Sequence, residues 1–182
     1  MPVTAVPTVL PEVLVLEPAL FSDARGSFYE SFNARDFAQA TGLERQFVQD
    51  NHSRSAPGVL RGLHYQVVRP QGKLIRVVRG AIFDVAVDLR KDSPRFGKWV
   101  GVTLSAEDRK QLWIPEGFGH GFVVVGDEAE VLYKTTEYRF AEHERTILWN
   151  DPALGITWPL QGAPTLSAKD AAAVRFDQAE VY

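Results

Sequence analysis

Short apolar or alternating runs, set apart by Gly, Pro, Asp or Ser, recur along this chain. They cover residues 13–16, 59–67, 74–78, 82–89, 99–104, 121–125 and 131–138. Each is strand-length and rich in β-branched or aromatic residues, which predicts β-strands. The run at 82–89 alternates: Phe83, Val85, Val87 and Leu89 form one face, and Asp84, Ala86 and Asp88 form the other. Arg79-Gly80 reads as a turn between two adjacent strands. Many strands at regular spacing predict an antiparallel sandwich or barrel, an all-β class with few helices. Asn33 is placed to cap a short helix over residues 34–41 that Gly42 closes. Ser167 is placed to cap another that begins Ala168-Lys169-Asp170, with Asp170 in the favourable first turn. From Asp151 onward Pro and Gly thicken, so residues 151–182 read as an extended strap on a single 1–182 domain.

Composition narrows the chemistry. The chain has 182 residues, no cysteine and four histidines. Disulfide scaffolds, thiolate nucleophiles, thiolate-bound zinc and iron–sulfur clusters are thereby excluded. A net charge of -3 argues against a broad nucleic-acid-binding face but leaves room for a local basic pocket. The apolar N-terminal stretch is broken by Pro2, Pro7, Pro11, Glu12 and Glu17, and its first cation is Arg25. It fits neither a signal peptide nor a spanning helix, so a cytoplasmic protein with no membrane partner is expected.

Polar residues inside strand-like runs mark candidate chemistry, because a buried polar group must be paired or useful. Gln49, Asn51 and Ser53 share one strand face, although polarity alone favours a solvent-facing strand there. His64 and Gln66 share a face with Gly62. Arg61 belongs to the opposite face in a regular strand, so a bulge or twist, or a reach from the rim, is needed for Arg61 and His64 to meet one ligand. Lys73 starts an otherwise apolar strand. Asp84 is a salt-bridge candidate for Arg76 or Lys73. His120 sits in a glycine-rich stretch, as a pocket donor, a metal ligand or a turn residue, and Tyr133 is either core or pocket. A barrel with a polar-lined interior would explain these residues together, as an anionic small-molecule site with acid–base chemistry.

The segments DARGSFYE (23–30), QDNHS (49–53), LRGLHYQ (60–66), GK (72–73), FDVAVDLR (83–90), PEGFGHGF (115–122), YKTT (133–136), EHER (142–145), WNDP (149–152) and SAKD (167–170) occur in that order. Together they resemble the dTDP-4-dehydrorhamnose 3,5-epimerase family over nearly the whole chain. The resemblance implies a cupin-type jelly roll (double-stranded β-helix), a homodimer with strand exchange, and no metal or organic cofactor. It implies inversion of dTDP-4-dehydro-6-deoxy-D-glucose at C3 and C5, giving dTDP-4-dehydro-L-rhamnose. His64 would be the base, Asp170 would orient it, Tyr133 would be the acid on the other face, and Lys73 would stabilise the C4 oxyanion, with Asp84 holding Lys73. Arg61, Arg25, Gln49, Asn51 and Lys169 would contact the diphosphate or the neighbouring sugar. Glu30 and Tyr138 would contact thymine, with Arg25 and Glu30 coming from the partner subunit. His120 would line the sugar pocket, His52 and His143 would be structural, and Glu144 would be structural or pocket-lining. One departure follows Tyr138: Arg139-Phe140-Ala141 stands where the family usually places an aromatic, a small residue and Pro.

Three alternatives stand beside this expectation. One is a monoepimerase of another dTDP-deoxysugar pathway. Another is a metal-dependent cupin oxygenase built on His64, His120 and an acid. It is disfavoured because no H-x-H pair is present. The third is a non-catalytic sugar-nucleotide-binding module.

Overall fold

The computed structural model describes residues 2–182, built mainly from antiparallel strands. In chain order they are β1 Val3–Pro7, β2 Leu14–Pro18, β3 Phe21–Asp23, β4 Gly26–Phe28, β5 Gln49–Ser55, β6 Leu60–Gln66, β7 Lys73–Asp88, β8 Trp99–Ser105, β9 Gln111–Ile114, β10 Phe118–Thr135 and β11 Glu144–Thr146. Helix α1, Ala34–Thr41, lies between β4 and β5, and helix α2, Ala168–Ala171, lies near the C-terminus. Both helices begin at the expected caps. The Asn33 side chain accepts from the backbone N–H groups of Arg35 and Asp36, and the Ser167 hydroxyl accepts from Asp170 N–H. Gly42 closes α1 in the left-handed conformation.

Arg79-Gly80 is not a turn. The chain runs through it as one strand, β7, and the expected strands at 121–125 and 131–138 likewise merge into β10. These two long strands pair along their whole lengths, with the register jumping from Val125↔Ala81 to Ala129↔Gly80. Gly80 lies in the left-handed region, and a Cβ there would stand 1.8 Å from the Glu128 carbonyl oxygen. Glycine therefore lets both strands bulge and bend together instead of reversing. Below the bend β7 pairs with β9 and β10 with β5; above it β7 pairs with β8 and β10 with β6. With β1 and β2 continuing one sheet and β11 the other, two sheets share two bent strands. This is the expected jelly roll.

Three apolar clusters follow from the alternation. The interior holds Ile75, Val77, Ile82, Ala86, Leu104, Leu112, Phe122 and Val131. Phe83, Val85, Val87 and Leu89 face outward, where Leu63, Tyr65, Ile147 and Leu154 join them and Trp158, Phe176 and Tyr182 from the C-terminal segment cover them. The polar face of this strand is therefore the barrel interior, and Asp84 and Asp88 are fully buried there. On the other sheet, Phe37 of α1 and Phe47 pack edge-on against Trp113, and Phe32 packs against both phenylalanines. The β3–β4 hairpin stands apart as its own two-stranded sheet, with Phe21 and Phe28 exposed. Among the described residues no helix is long and apolar enough to cross a membrane.

Candidate active site

The bulge that the phase of β6 required is present. β10 pairs His120 with His64 and Phe122 with Arg61, so three steps on β6 face two on β10. The extra residue lies at Gly62-Leu63. Leu63 and Tyr65 pack in the outer cluster while Arg61 and His64 both line one cavity. Arg61, and not Gly62, thus shares the inner face with His64. Gly62 sits at a φ of 130°, and a Cβ there would lie 2.5 Å from Gly121 Cα and 2.9 Å from the His120 carbonyl oxygen. No other residue type lets β6 and β10 approach so closely at this point.

The cavity, about 190 Å³ and open to solvent at one side, is lined by side chains from β5, β6, β7, β10 and β11. His64 Nε2 lies 2.5 Å from Asp170 Oδ1. Asp170 is buried, and His64 keeps about a third of its side chain open to the cavity. Burial alone would raise the Asp170 carboxyl, but the hydrogen bond and charge of His64, with the Ser167 and Lys169 contributions, hold it below the usual carboxylate range. Asp170 reaches β6 because the C-terminal segment is tied down on both sides of α2. Leu60 N–H donates to Thr165 O and Leu148 N–H to Val174 O. The buried Asp151 carboxylate accepts from Phe176 N–H at 2.7 Å, and the Tyr65 hydroxyl donates to Glu180 O.

Lys73 is also buried, at the inner end of β7. Desolvation brings its ammonium down to about 8, partly countered by Asp84 and Glu144. Its Nζ donates to the His64 carbonyl oxygen at 3.3 Å. The expected pairing of Asp84 with Arg76 or Lys73 is not what forms. Asp84 Oδ1 lies 2.9 Å from His120 Nε2, at ion-pair distance but with the ring N–H aimed off the oxygen. Asp84 and Phe122 are opposite each other across the β7–β10 pair, so Asp84 projects inward beside His120, while Arg76 Nη1 bonds the Tyr29 hydroxyl instead. Asp84 acts on Lys73 through its charge, not a hydrogen bond. Burial pushes His120 below the usual imidazole range, with Asp84 opposing.

Tyr133, on β10, faces the cavity, and burial followed by the Glu144 charge pushes its phenol above the usual range. Gln49, Asn51 and Ser53 project inward, opposite Thr135, Tyr133 and Val131, so the polar face of β5 lines the cavity and not solvent. Gln49 Nε2 donates to Asn51 Oδ1 at 2.9 Å. Arg61 donates to Ser55 Oγ at 3.0 Å and to the Arg54 carbonyl at 3.3 Å. Lys169 stands at the rim, with Nζ 3.0 Å from Glu144 Oε2.

Three expected residues are not brought into this cavity within one chain. Arg25 lies on the exposed hairpin and pairs with Asp23. Glu30 accepts from Asn33 beside α1. Tyr138 is 53% exposed and contacts the neighbourhood through its backbone, its carbonyl accepting from Gln66 Nε2. Conversely, Arg139 lines the cavity and forks the Glu144 carboxylate at 2.9 and 3.0 Å. The one sequence signal for it was its unusual place after Tyr138. Gln66 anchors the same loop, accepting from Phe140 N–H at 2.7 Å. Among the described residues no group of three or more His, Cys, Asp or Glu side chains is arranged to hold a metal ion.

Known proteins resemble this chain throughout. The family model described as dTDP-4-dehydrorhamnose 3,5-epimerase matches residues 7–178. A dTDP-4-dehydrorhamnose 3,5-epimerase of Pseudomonas aeruginosa is 58% identical over 173 residues, covering 95% of this chain and 96% of its own length. The crystal structure of a dTDP-6-deoxy-D-glucose-3,5-epimerase from Legionella pneumophila, in complex with dTDP-4-keto-L-rhamnose, superposes with a TM-score of 0.95 at 49% identity, covering 98% of this chain and 95% of that one. A 3'-monoepimerase from Streptomyces bikiniensis, in complex with dTDP-quinovose, superposes at a TM-score of 0.87 and 36% identity, covering 93% and 86%.

Proposed function

The chain belongs to the dTDP-4-dehydrorhamnose 3,5-epimerase family, and on that premise we propose how its residues share the reaction. The enzyme is an isomerase that converts dTDP-4-dehydro-6-deoxy-D-glucose to dTDP-4-dehydro-L-rhamnose. The C4 ketone acidifies the protons on C3 and C5, because the charge left by their removal delocalises onto the ketone oxygen. His64 is the base, because a neutral imidazole has a free ring nitrogen that can take a proton from carbon. Asp170 fixes the imidazole orientation and stabilises the imidazolium that forms. Lys73 supplies a preorganised positive charge to the enolate oxygen. Tyr133, kept protonated by its burial, returns a proton to the opposite face, which is what inversion requires. The observation that carries this assignment is the buried His64–Asp170 pair opening onto the cavity that Lys73 and Tyr133 also line.

Arg61, Gln49, Asn51 and Lys169 line or rim the open side, where a diphosphate and its neighbouring sugar fit, and His120 lines the sugar end. Arg25, Glu30 and Tyr138 serve a second copy of the chain or the nucleoside. The detached β3–β4 hairpin supports a homodimer with strand exchange, since an isolated two-stranded ribbon with exposed phenylalanines is marginal alone. Residues 151–182 act as a strap of one catalytic unit, delivering Asp170, and the protein works in the cytoplasm. Identity to the 3,5-epimerases exceeds identity to the monoepimerase, which favours the double reaction.

Turnover of dTDP-4-dehydro-6-deoxyglucose in D₂O tests this. Deuterium at both C3 and C5 is expected; label at one carbon only sinks the double epimerisation. His64→Ala abolishes exchange with the fold intact, and exchange that persists removes His64 from the base role.

A further inference from the structure

At the cavity mouth one carboxylate holds two cations. Glu144 Oε1 accepts from Arg139 Nε at 2.9 Å, and Oε2 accepts from Arg139 Nη2 and Lys169 Nζ, each at 3.0 Å. The anion is the inner member: its side chain is 22% exposed, against 61% for Arg139 and 48% for Lys169. Arg139 has a fixed base, because its own N–H donates to Gln49 Oε1 and the next N–H donates to Gln66 Oε1. Its head group thus reaches Glu144 from an anchored stem. In the same cavity, the Arg61 guanidinium bonds neutral acceptors, Ser55 Oγ and the Arg54 carbonyl.

We propose that Glu144 is a resident counter-anion, holding Arg139 and Lys169 at the mouth until the diphosphate of the substrate takes them over. The proposal rests on the dTDP-sugar reading above. A carboxylate offers a guanidinium two oxygens in one plane, as a phosphate does, so one fork serves both. Without Glu144, Arg61, Arg139 and Lys169 would repel one another around an empty mouth. With it, the two rim cations are kept ordered, and an arriving diphosphate exchanges ion pair for ion pair. Glu144 stays charged throughout the working range, because Arg139 and Lys169 hold its carboxyl at about 2. The exchange lowers affinity for a polyanion and thereby eases release of product.

Calorimetric titration of dTDP and of thymidine at two salt concentrations tests this, with wild type, Glu144→Gln, Arg139→Ala and the double variant. Glu144→Gln should lower the Kd for dTDP about three- to tenfold at low salt and steepen its salt dependence, with thymidine binding unchanged. Arg139→Ala should weaken dTDP binding, and more so in the Glu144→Gln background, where the guanidinium is no longer neutralised. Weaker binding of dTDP by Glu144→Gln, or parallel changes for dTDP and thymidine, overturns the proposal. So does an Arg139→Ala variant that binds dTDP as wild type does, whatever the Glu144 variant does to folding. Wild-type protein that neither binds dTDP nor turns over the keto-sugar instead defeats the functional reading on which the proposal rests.

Discussion

His64 Nε2 and Asp170 Oδ1 are 2.5 Å apart, with the carboxylate fully buried and the imidazole partly open to the cavity. A buried acid in contact with a half-open imidazole fixes one ring nitrogen and leaves the other for the substrate. Asp170→Asn keeps the shape but removes the charge that stabilises an imidazolium. Its kcat is expected to fall about 10²–10⁴-fold, the usual span of a general acid–base contribution. Solvent-deuterium incorporation at C3 and C5 measures it, and an Asn variant with near wild-type exchange would detach Asp170 from the base.

Lys73 carries its charge at a cost to stability. Its amine titrates near 10.5 in the unfolded chain and at about 8 in the folded one. Between those values the unfolded state binds the extra proton, so stability rises with pH across that window, and below pH 8 the whole penalty is present. Lys73→Met should therefore stabilise the protein at pH 7 by about 1–3 kcal/mol, less than the full shift because Asp84 loses a neighbouring cation. That corresponds to about 2–4 °C in Tm per kcal/mol. The same variant should lose turnover. In wild type kcat should decline as pH rises through 8, and Lys73→Arg should push that decline out of the range. A pH profile identical in wild type and the Arg variant would assign the limb to another group.

Gly62 determines which way Arg61 points. Gly62→Ala forces a methyl onto Gly121 Cα and the His120 carbonyl. The β6–β10 contact must open, at about 1–3 kcal/mol, as overpacked sites usually cost. Urea midpoints read the stability. The kcat/KM should fall with it, because His64 and Arg61 are displaced together. Unchanged activity in a destabilised variant would show that the bulge serves packing alone.

The β3–β4 hairpin offers a direct test of assembly. The double substitution Phe21→Ser, Phe28→Ser removes its two exposed rings. If the proposed strand-exchanged dimer holds, light scattering should shift from dimer to monomer, and dTDP affinity should fall with the loss of the contribution proposed for Arg25 and Glu30. A variant that remains dimeric places the interface elsewhere.

Much of the site is legible in the sequence. The alternation at 82–89 announced two faces, Asn33 and Ser167 announced two helix starts, and polar groups inside strand runs announced a cavity. The polarity of β7 left open which face turns inward, for a physical reason. Alternation tells which residues share a face, but not which face the fold covers. Here the outer face is covered by the C-terminal segment, so both faces are buried and the polar one lines the interior. Arg79-Gly80 misled for a related reason. A glycine at positive φ serves a reversal and a bulge equally well locally, and the choice depends on whether a second strand bends beside it, as β10 does.

The pattern of apolar and polar positions by itself determined the strand content, the two capped helices and the set of chemical groups. Those depend on local spacing and on side-chain type, which the chain carries wherever it folds. Only the tertiary structure decided that Asp84 answers to His120, that Glu144 holds Arg139, and that Arg61 faces inward with His64. Each of these turns on register and on which segments cover a sheet. A one-residue slip reverses every side chain in a strand, and no local rule prevents it.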